Sequence, residues 1–227
     1  MRLALFDLDH TLLPLDSDHA WGQYTVRLGW RDPVAFAQAN DLFYERYKAG
    51  TLDIAEYIRF ATEALRERSA DELATAHNGF MADVIRPAIR PAALDLLARH
   101  RAAGDEVVIV TATNAFVTGP IATALGVEHL IAIDLARDAQ GALTGGIAGA
   151  PSFRDGKVRR VEQWLADRGY RWADLAHTAF YSDSINDLAL LERVQEPVAT
   201  NPDPRLSAIA QERGWRILNL FHDQKTD

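Results

Sequence analysis

The 227 residues carry 24 lysines and arginines against 32 aspartates and glutamates, a net charge of −8, with 48% hydrophobic and 25% charged residues. That balance suits one large domain, or a core domain with a smaller insert, and leaves no basic footprint for nucleic acid or an anionic membrane. The absence of cysteine excludes a disulfide framework, a thiol nucleophile and cysteine-ligated zinc.

The chain opens on LALFDLDHTLL, residues 3–13. Residues 3–6 read as a buried strand that ends in two carboxylates spaced i, i+2, Asp7 and Asp9, and then a hydroxyl, Thr11. The charged Asp7 arrives too soon for the apolar region of a signal peptide. No later run approaches the roughly 20 apolar residues of a membrane span, so a cytoplasmic protein is expected.

Residues 16–88 differ in character. They show helical periodicity, few strand signals and many aromatic residues, with Pro33, Gly50 and Ser69 as helix boundaries. A helical insert is expected here, dividing a core made of residues 1–15 and 89–227. The stripe Phe43, Tyr44, Tyr47, with Tyr57 and Phe60 following, reads as the insert's own core. Asp16 and Asp18, in DSDHAW, have the form of a helix cap; they are equally placed to receive a cationic group on a ligand. Arg46, Lys48 and Arg59 would suit a ligand carboxylate, although on a helix such residues usually face solvent.

Beyond the insert the pattern becomes βαβ. PAALDLLARHR, from Pro91 to Arg101, is a helix stopped by Gly104, and VVIV at 107–110 is a second buried strand that delivers Thr111. HLIAID at 129–134 is a third, and the stretch around Gly141 reads as a hairpin with a glycine-rich exit. Lys157 follows RDG and opens a helix to Arg168. TAFYS at 178–182 leads to Asp183, Asn186 and Asp187, and 197–200 and 216–221 complete the sheet. The fold class is α/β, a three-layer Rossmann-like parallel sheet with an inserted helical domain.

In such sheets ligands bind beyond the carboxyl ends of the strands. Taken singly, an acid after a strand is usually a turn former, a threonine there a cap and a lone lysine a solvated side chain. Here they all converge on one edge. Several carboxylates close together raise each other's pKa and stay ionised only beside a cation. All-oxygen ligands point to a hard ion that keeps some of its waters, Mg²⁺. Lysine, threonine and backbone N–H groups at helix N-termini suit a phosphate.

DLDHT, the threonine after a strand, GK opening a helix and YSDSINDLALL together resemble the four motifs of the haloacid dehalogenase superfamily of phosphatases. The insert resembles that superfamily's helical cap of the first type. The closest pattern is that of the phosphoserine-phosphatase-like group, in which an acid follows the first motif, as Asp16 does.

The resemblance implies that Asp7 is the nucleophile, forming an aspartyl-phosphate, and that Asp9 is the general acid and then the general base. It implies Mg²⁺ held by Asp7, Asp183 and the main-chain carbonyl of Asp9, with Asp187 orienting Lys157 or a metal-bound water. Thr111, Lys157 and Asn186 would bind the phosphoryl oxygens, Thr11 would fix the first loop, and His10 and Asp16 are possible substrate contacts. Ser182 and Ser184 stand where phosphoserine enzymes usually carry glycines, and the second motif reads TATN. The expected substrate is therefore a small phosphorylated metabolite resembling phosphoserine or histidinol phosphate. A phosphotransferase or phosphomutase would use the same intermediate. A receiver-like phosphoacceptor would lack the insert and a partner at Asp9.

Overall fold

The computed structural model describes residues 1–221; residues 222–227, which the sequence reading assigns to the core, lie outside the described residues. Strand β1 (Arg2–Phe6) leads into helices α1 (Ser17–Arg27), α2 (Pro33–Ala49), α3 (Ile54–Ala61), α4 (Glu63–Arg66) and α5 (Ala70–Phe80). A π-helical turn (Met81–Ile85) and the short α6 (Arg86–Ala88) follow. Next come α7 (Pro91–Ala102), β2 (Glu106–Asn114), α8 (Ala115–Ala124), β3 (His129–Ile133), β4 (Leu135–Arg137), β5 (Leu143–Ile147) and α9 (Asp155–Ala166). The last described elements are β6 (His177–Ser182), α10 (Leu188–Leu191), β7 (Glu196–Thr200), α11 (Pro204–Arg213) and β8 (Arg216–Leu218).

Six strands form one parallel sheet in the order β3-β2-β1-β6-β7-β8, while β4 and β5 pair as the hairpin expected around Gly141. The central strands are apolar on both faces because both are covered. Ala4 and Phe6 join one apolar cluster with Leu97, Val117 and Ile121, so α7 and α8 cover that face, and Trp21 of α1 and Phe80 of α5 join the same cluster from the insert. Leu3 and Leu5 join the other with Val161, Leu165, Leu191 and Leu206, from α9, α10 and α11. Three layers result.

Helix boundaries follow local chemistry. Asp32 caps α2, Pro33 takes its first turn, and Gly50 ends it with φ +75. Ser69 and Glu72 form a capping box on α5.

Three boundaries move. The last strand stops at Leu218, short of the expected 221. The helix expected at 157–168 spans 155–166. Strand β2 runs on to Asn114, so Thr111 lies inside it, where the pairing with β3 shifts register between Val110 and Asn114.

The strand order fixes the location of the crevice. From β1 the chain proceeds to β2 on one side, and from β6 to β7 on the other, so the order reverses between β1 and β6. That reversal is where open α/β sheets bind ligands.

Candidate active site

β1 and β6 pair in parallel through Phe6 and Tyr181, and the Asp7 N–H donates to the Tyr181 carbonyl at 2.9 Å. The chains beyond both strands therefore leave the sheet side by side, one with Asp7 and Asp9, the other with Asp183 and Asp187. Lys157, 2% exposed, sits in the first turns of α9 and points its ammonium between them. Its Nζ lies 2.7 Å from Asp7 Oδ1 and 2.7 Å from Asp187 Oδ2. Burial alone would lower the Lys157 pKa, but Asp187 and Asp7 lift it above its ordinary value, so the ammonium stays charged.

The loop that carries Lys157 depends on a close approach. A Cβ on Gly156 would stand 2.1 Å from the Pro151 carbonyl oxygen, so only glycine lets α9 begin against that loop. Arg154, two residues before Gly156, adopts φ +51 with ψ −127, a sparsely populated conformation that costs a non-glycine residue about 1 kcal/mol or more.

Asp9 is oriented from two sides. Its Oδ1 accepts from the Ser17 N–H at 2.9 Å and its Oδ2 from the Thr113 hydroxyl at 2.8 Å. Burial, then Asp16 and Asp7, hold its carboxyl well above the usual range, while the Ser17 hydrogen bonds oppose the rise. A carboxyl whose pKa is raised holds its proton to higher pH and is better suited to giving one up. Thr113 carried no signal of its own in the sequence; its place two residues after Thr111 on an edge-pointing strand was the available clue.

Thr11 is fully buried and tied to Asp183: its hydroxyl lies 3.3 Å from Asp183 Oδ1 and accepts from the Asp183 N–H at 3.1 Å. Burial, then Asp7 and Asp187, raise the Asp183 carboxyl well above its ordinary value. Asp187 is pushed up to about 6 by burial, against the pull of Lys157 and the Ser182 hydroxyl, which donates to Oδ2 at 2.7 Å. Thr111 is buried, its Oγ1 accepting from the Thr113 N–H at 3.1 Å. Asn186 is half-buried in the turn after Asp183, its N–H donating to Ser184 Oγ at 3.2 Å.

The two possible substrate contacts fare differently. His10 is exposed in a left-handed turn, φ +55, with its carbonyl accepting from Asn201 Nδ2 at 2.8 Å. Among the described residues its ring makes no hydrogen bond to either acid. Asp16 caps α1 through the His19 N–H at 2.9 Å, and still lies close enough to raise the pKa of both Asp9 and Asp18. Among the cations of the insert, Arg46 pairs with Glu56 at 2.8 Å and Lys48 with Glu45 at 2.5 Å.

Asp7 and Asp187 thus hold one ammonium between them, and Asp183 lies close enough to feel its charge. No three His, Cys, Asp or Glu side chains among the described residues form a ready metal cluster. The Asp9 carboxylate is engaged by Ser17 and Thr113 and Asp7 Oδ1 by Lys157, which leaves the second oxygen of Asp7 and the Asp183 carboxylate as the crevice oxygens open to a cation. An all-oxygen donor set with surplus negative charge fits a hard divalent ion that retains water.

The chain from residue 4 to 192 matches the haloacid dehalogenase-like hydrolase family. A histidinol-phosphatase of Neisseria meningitidis is 43% identical over 219 residues, covering 96% of this chain and 99% of that one. A Bordetella pertussis protein of unknown function superposes with a TM-score of 0.91 at 52% identity, covering 97% and 99% of the two chains. A substrate-bound phosphoserine phosphatase shares the fold, with a TM-score of 0.66 at 17% identity, covering 96% and 92%. Motifs, sheet and relatives agree: the chain is a phosphatase-type member of the haloacid dehalogenase-like hydrolase family.

Proposed function

We propose that the protein is a Mg²⁺-dependent phosphomonoesterase that works through an aspartyl-phosphate on Asp7. The observation that carries this reading is the Asp7–Lys157–Asp187 arrangement beside a separately oriented Asp9. Asp7 Oδ attacks phosphorus in line with the ester bond, which breaks toward the leaving oxygen. Asp9 gives its proton to that oxygen, because an alkoxide is a poor leaving group. Asp9, now a carboxylate, takes a proton from water as the water attacks phosphorus, and Asp7 is released with inorganic phosphate.

Lys157, Thr111 and Asn186 are the donors for the phosphoryl oxygens, and Lys157 offsets the repulsion between Asp7 and a phosphate dianion. Asp7, Asp183 and the Asp9 carbonyl would hold Mg²⁺, which supplies further neutralisation of the phosphoryl charge. Thr11 and Asp187 act by fixing Asp183 and Lys157. Residues 16–88 serve as a cap that excludes water from the crevice, residues 1–15 and 89–227 being the core.

The substrate is a small phosphorylated metabolite. The Neisseria relative's name supports a histidinol-phosphate-like substrate, and the acidic surroundings of Asp9, with Asp16 close by, suit a leaving group that carries a cation. A panel containing histidinol phosphate, phosphoserine and phosphoethanolamine, assayed with and without EDTA, tests the reading. Mg²⁺-dependent release of phosphate is expected from wild type and not from Asp7→Asn. Turnover undiminished in Asp7→Asn removes the mechanism.

A further inference from the structure

The aromatic stripe of α2 does not stay together as the sequence predicts. Phe43 packs on Tyr57 and Phe60, with ring centroids 5.4 and 5.0 Å apart, whereas Tyr44 is 57% exposed. Tyr47 leaves the insert altogether. Its hydroxyl lies 2.9 Å from Ser184 Oγ, across 137 residues of chain, in the loop that follows β6. Its ring rests against Phe153, centroids 6.4 Å apart, in the loop that leads to Lys157. Tyr47 is thus wedged between the two core segments that hold the lysine and the Asp183 turn.

The hydroxyl protons can be counted. A serine or tyrosine hydroxyl has one proton to give and lone pairs to accept with. Ser184 Oγ already accepts from the Asn186 N–H at 3.2 Å. Tyr47 and Ser184 share one hydrogen bond, which consumes one of their two protons. The Asn186 side-chain amide also acts on the Tyr47 hydroxyl, in the sense of a donor, so it does not take up the other hydroxyl proton, for which no acceptor is found among the described residues. The spare O–H is Ser184's when Tyr47 donates, and Tyr47's when Ser184 donates.

Ser184 itself is buried, and its N–H donates to Ser182 Oγ at 3.2 Å, which in turn donates to Asp187. Asp183 and Asp187 both act electrostatically on Tyr47, so the pair lies beside the turn that carries them. A buried donor left without an acceptor is unfavourable, so an anion arriving there would satisfy it.

We propose that Tyr47 and Ser184 form a substrate-positioning pair in which the helical insert delivers one hydroxyl proton to a phosphoryl oxygen in the crevice. The pair lets the insert register whether phosphate is bound. The proposal takes from the phosphomonoesterase reading only the place of the phosphate; turnover is not needed to test it.

The probe is inorganic phosphate, titrated into the full-length protein in the presence of Mg²⁺ and followed by calorimetry or phosphorus NMR. Tyr47→Phe keeps the ring and Ser184→Ala the backbone; each leaves one hydroxyl proton but without the partner that orients it, and is expected to weaken phosphate binding about threefold. The double variant has no proton left to give and is expected to bind about tenfold more weakly than wild type, as does one lost charge-assisted hydrogen bond, while Ser184→Thr, which restores the hydroxyl, is expected to bind within about twofold of wild type. With a substrate, Tyr47→Phe is expected to raise KM more than it lowers kcat.

Phosphate binding by the double variant within about twofold of wild type overturns the proposal, as does a loss in one single variant that the other variant and the double do not share. Phosphate binding that falls in the double variant, with nothing in the panel hydrolysed by wild type, supports the pair and sinks the phosphomonoesterase reading. Normal turnover with phosphate binding unchanged in the double variant does the reverse.

Discussion

Lys157 Nζ stands 2.7 Å from Asp7 Oδ1 although 150 residues separate them in the chain. Both are buried, so neither charge is solvated by bulk water, and each makes the other tolerable. Removing one member of such a pair leaves the other uncompensated, which costs about 3–5 kcal/mol. Lys157→Met should therefore lower both the unfolding midpoint and kcat/KM, the latter about 10²–10³-fold from lost charge stabilisation. Lys157→Arg is expected to rescue little, because a planar fork does not fit a point between two carboxylates built for an ammonium. Wild-type kcat/KM in either variant contradicts this role.

Asp9 offers a test that separates proton donation from mere structure. Alkyl phosphates need a protonated leaving group, while nitrophenyl phosphate carries one that departs unaided. Asp9→Asn should lose about 10²–10⁴-fold on an alkyl phosphate and markedly less in forming the aryl-phosphate intermediate, read as a burst of nitrophenol. Equal loss on both substrates argues against a general acid.

Asp18 connects the insert to stability. It is 6% exposed, its Oδ1 accepts from Asn114 Nδ2 at 3.3 Å, and the Tyr57 hydroxyl and Arg31 lie close enough to oppose the effect of its burial. Burial, then Asp16, push its carboxyl up to about 7, whereas in the unfolded chain an aspartate titrates near 4. Between those values the folded protein holds a proton that the unfolded chain has released. Stability should thus fall as pH rises from about 4 to 7 and level off above. Asp18→Asn has no proton to lose, and in urea titrations it should exceed wild type at pH 8 by up to about 4 kcal/mol while differing little at pH 4. A variant less stable than wild type at pH 8 refutes the assignment.

Gly156 sets two effects against each other. Replacing a helical glycine with alanine gains about 1 kcal/mol of helix propensity. The new Cβ, however, would meet the Pro151 carbonyl at 2.1 Å, and backbone cannot swing aside as a side-chain tip can. The clash should win, at about 1–3 kcal/mol net, and displace the neighbouring Lys157. Calorimetry and kcat/KM on Gly156→Ala check both halves; a stabilised, fully active variant shows the loop to be adaptable.

Much of this was legible in the chain itself. Apolar runs short enough for strands, each ending in a polar residue, determine a parallel sheet with a polar edge, because strands buried on both faces cannot alternate in polarity. Asp7, Asp9, Lys157 and Asp183 could be read as a group because their place at strand ends or a helix start is a local property. Caps and breakers such as Pro33, Gly50, Ser69 and Gly104 act within a few residues, and so they too were visible.

Tertiary structure alone decided where the side chains point. Nothing near Thr113 announces that it holds Asp9, 104 residues away, and nothing in an aromatic stripe distinguishes Phe43, which packs within the insert, from Tyr47, which reaches Ser184. His10 sits between the two acids in sequence, yet a left-handed turn leaves it exposed. Side-chain direction depends on backbone turns and on what packs opposite. Those partners come from segments a hundred residues apart, and only the closed fold brings them within hydrogen-bond distance.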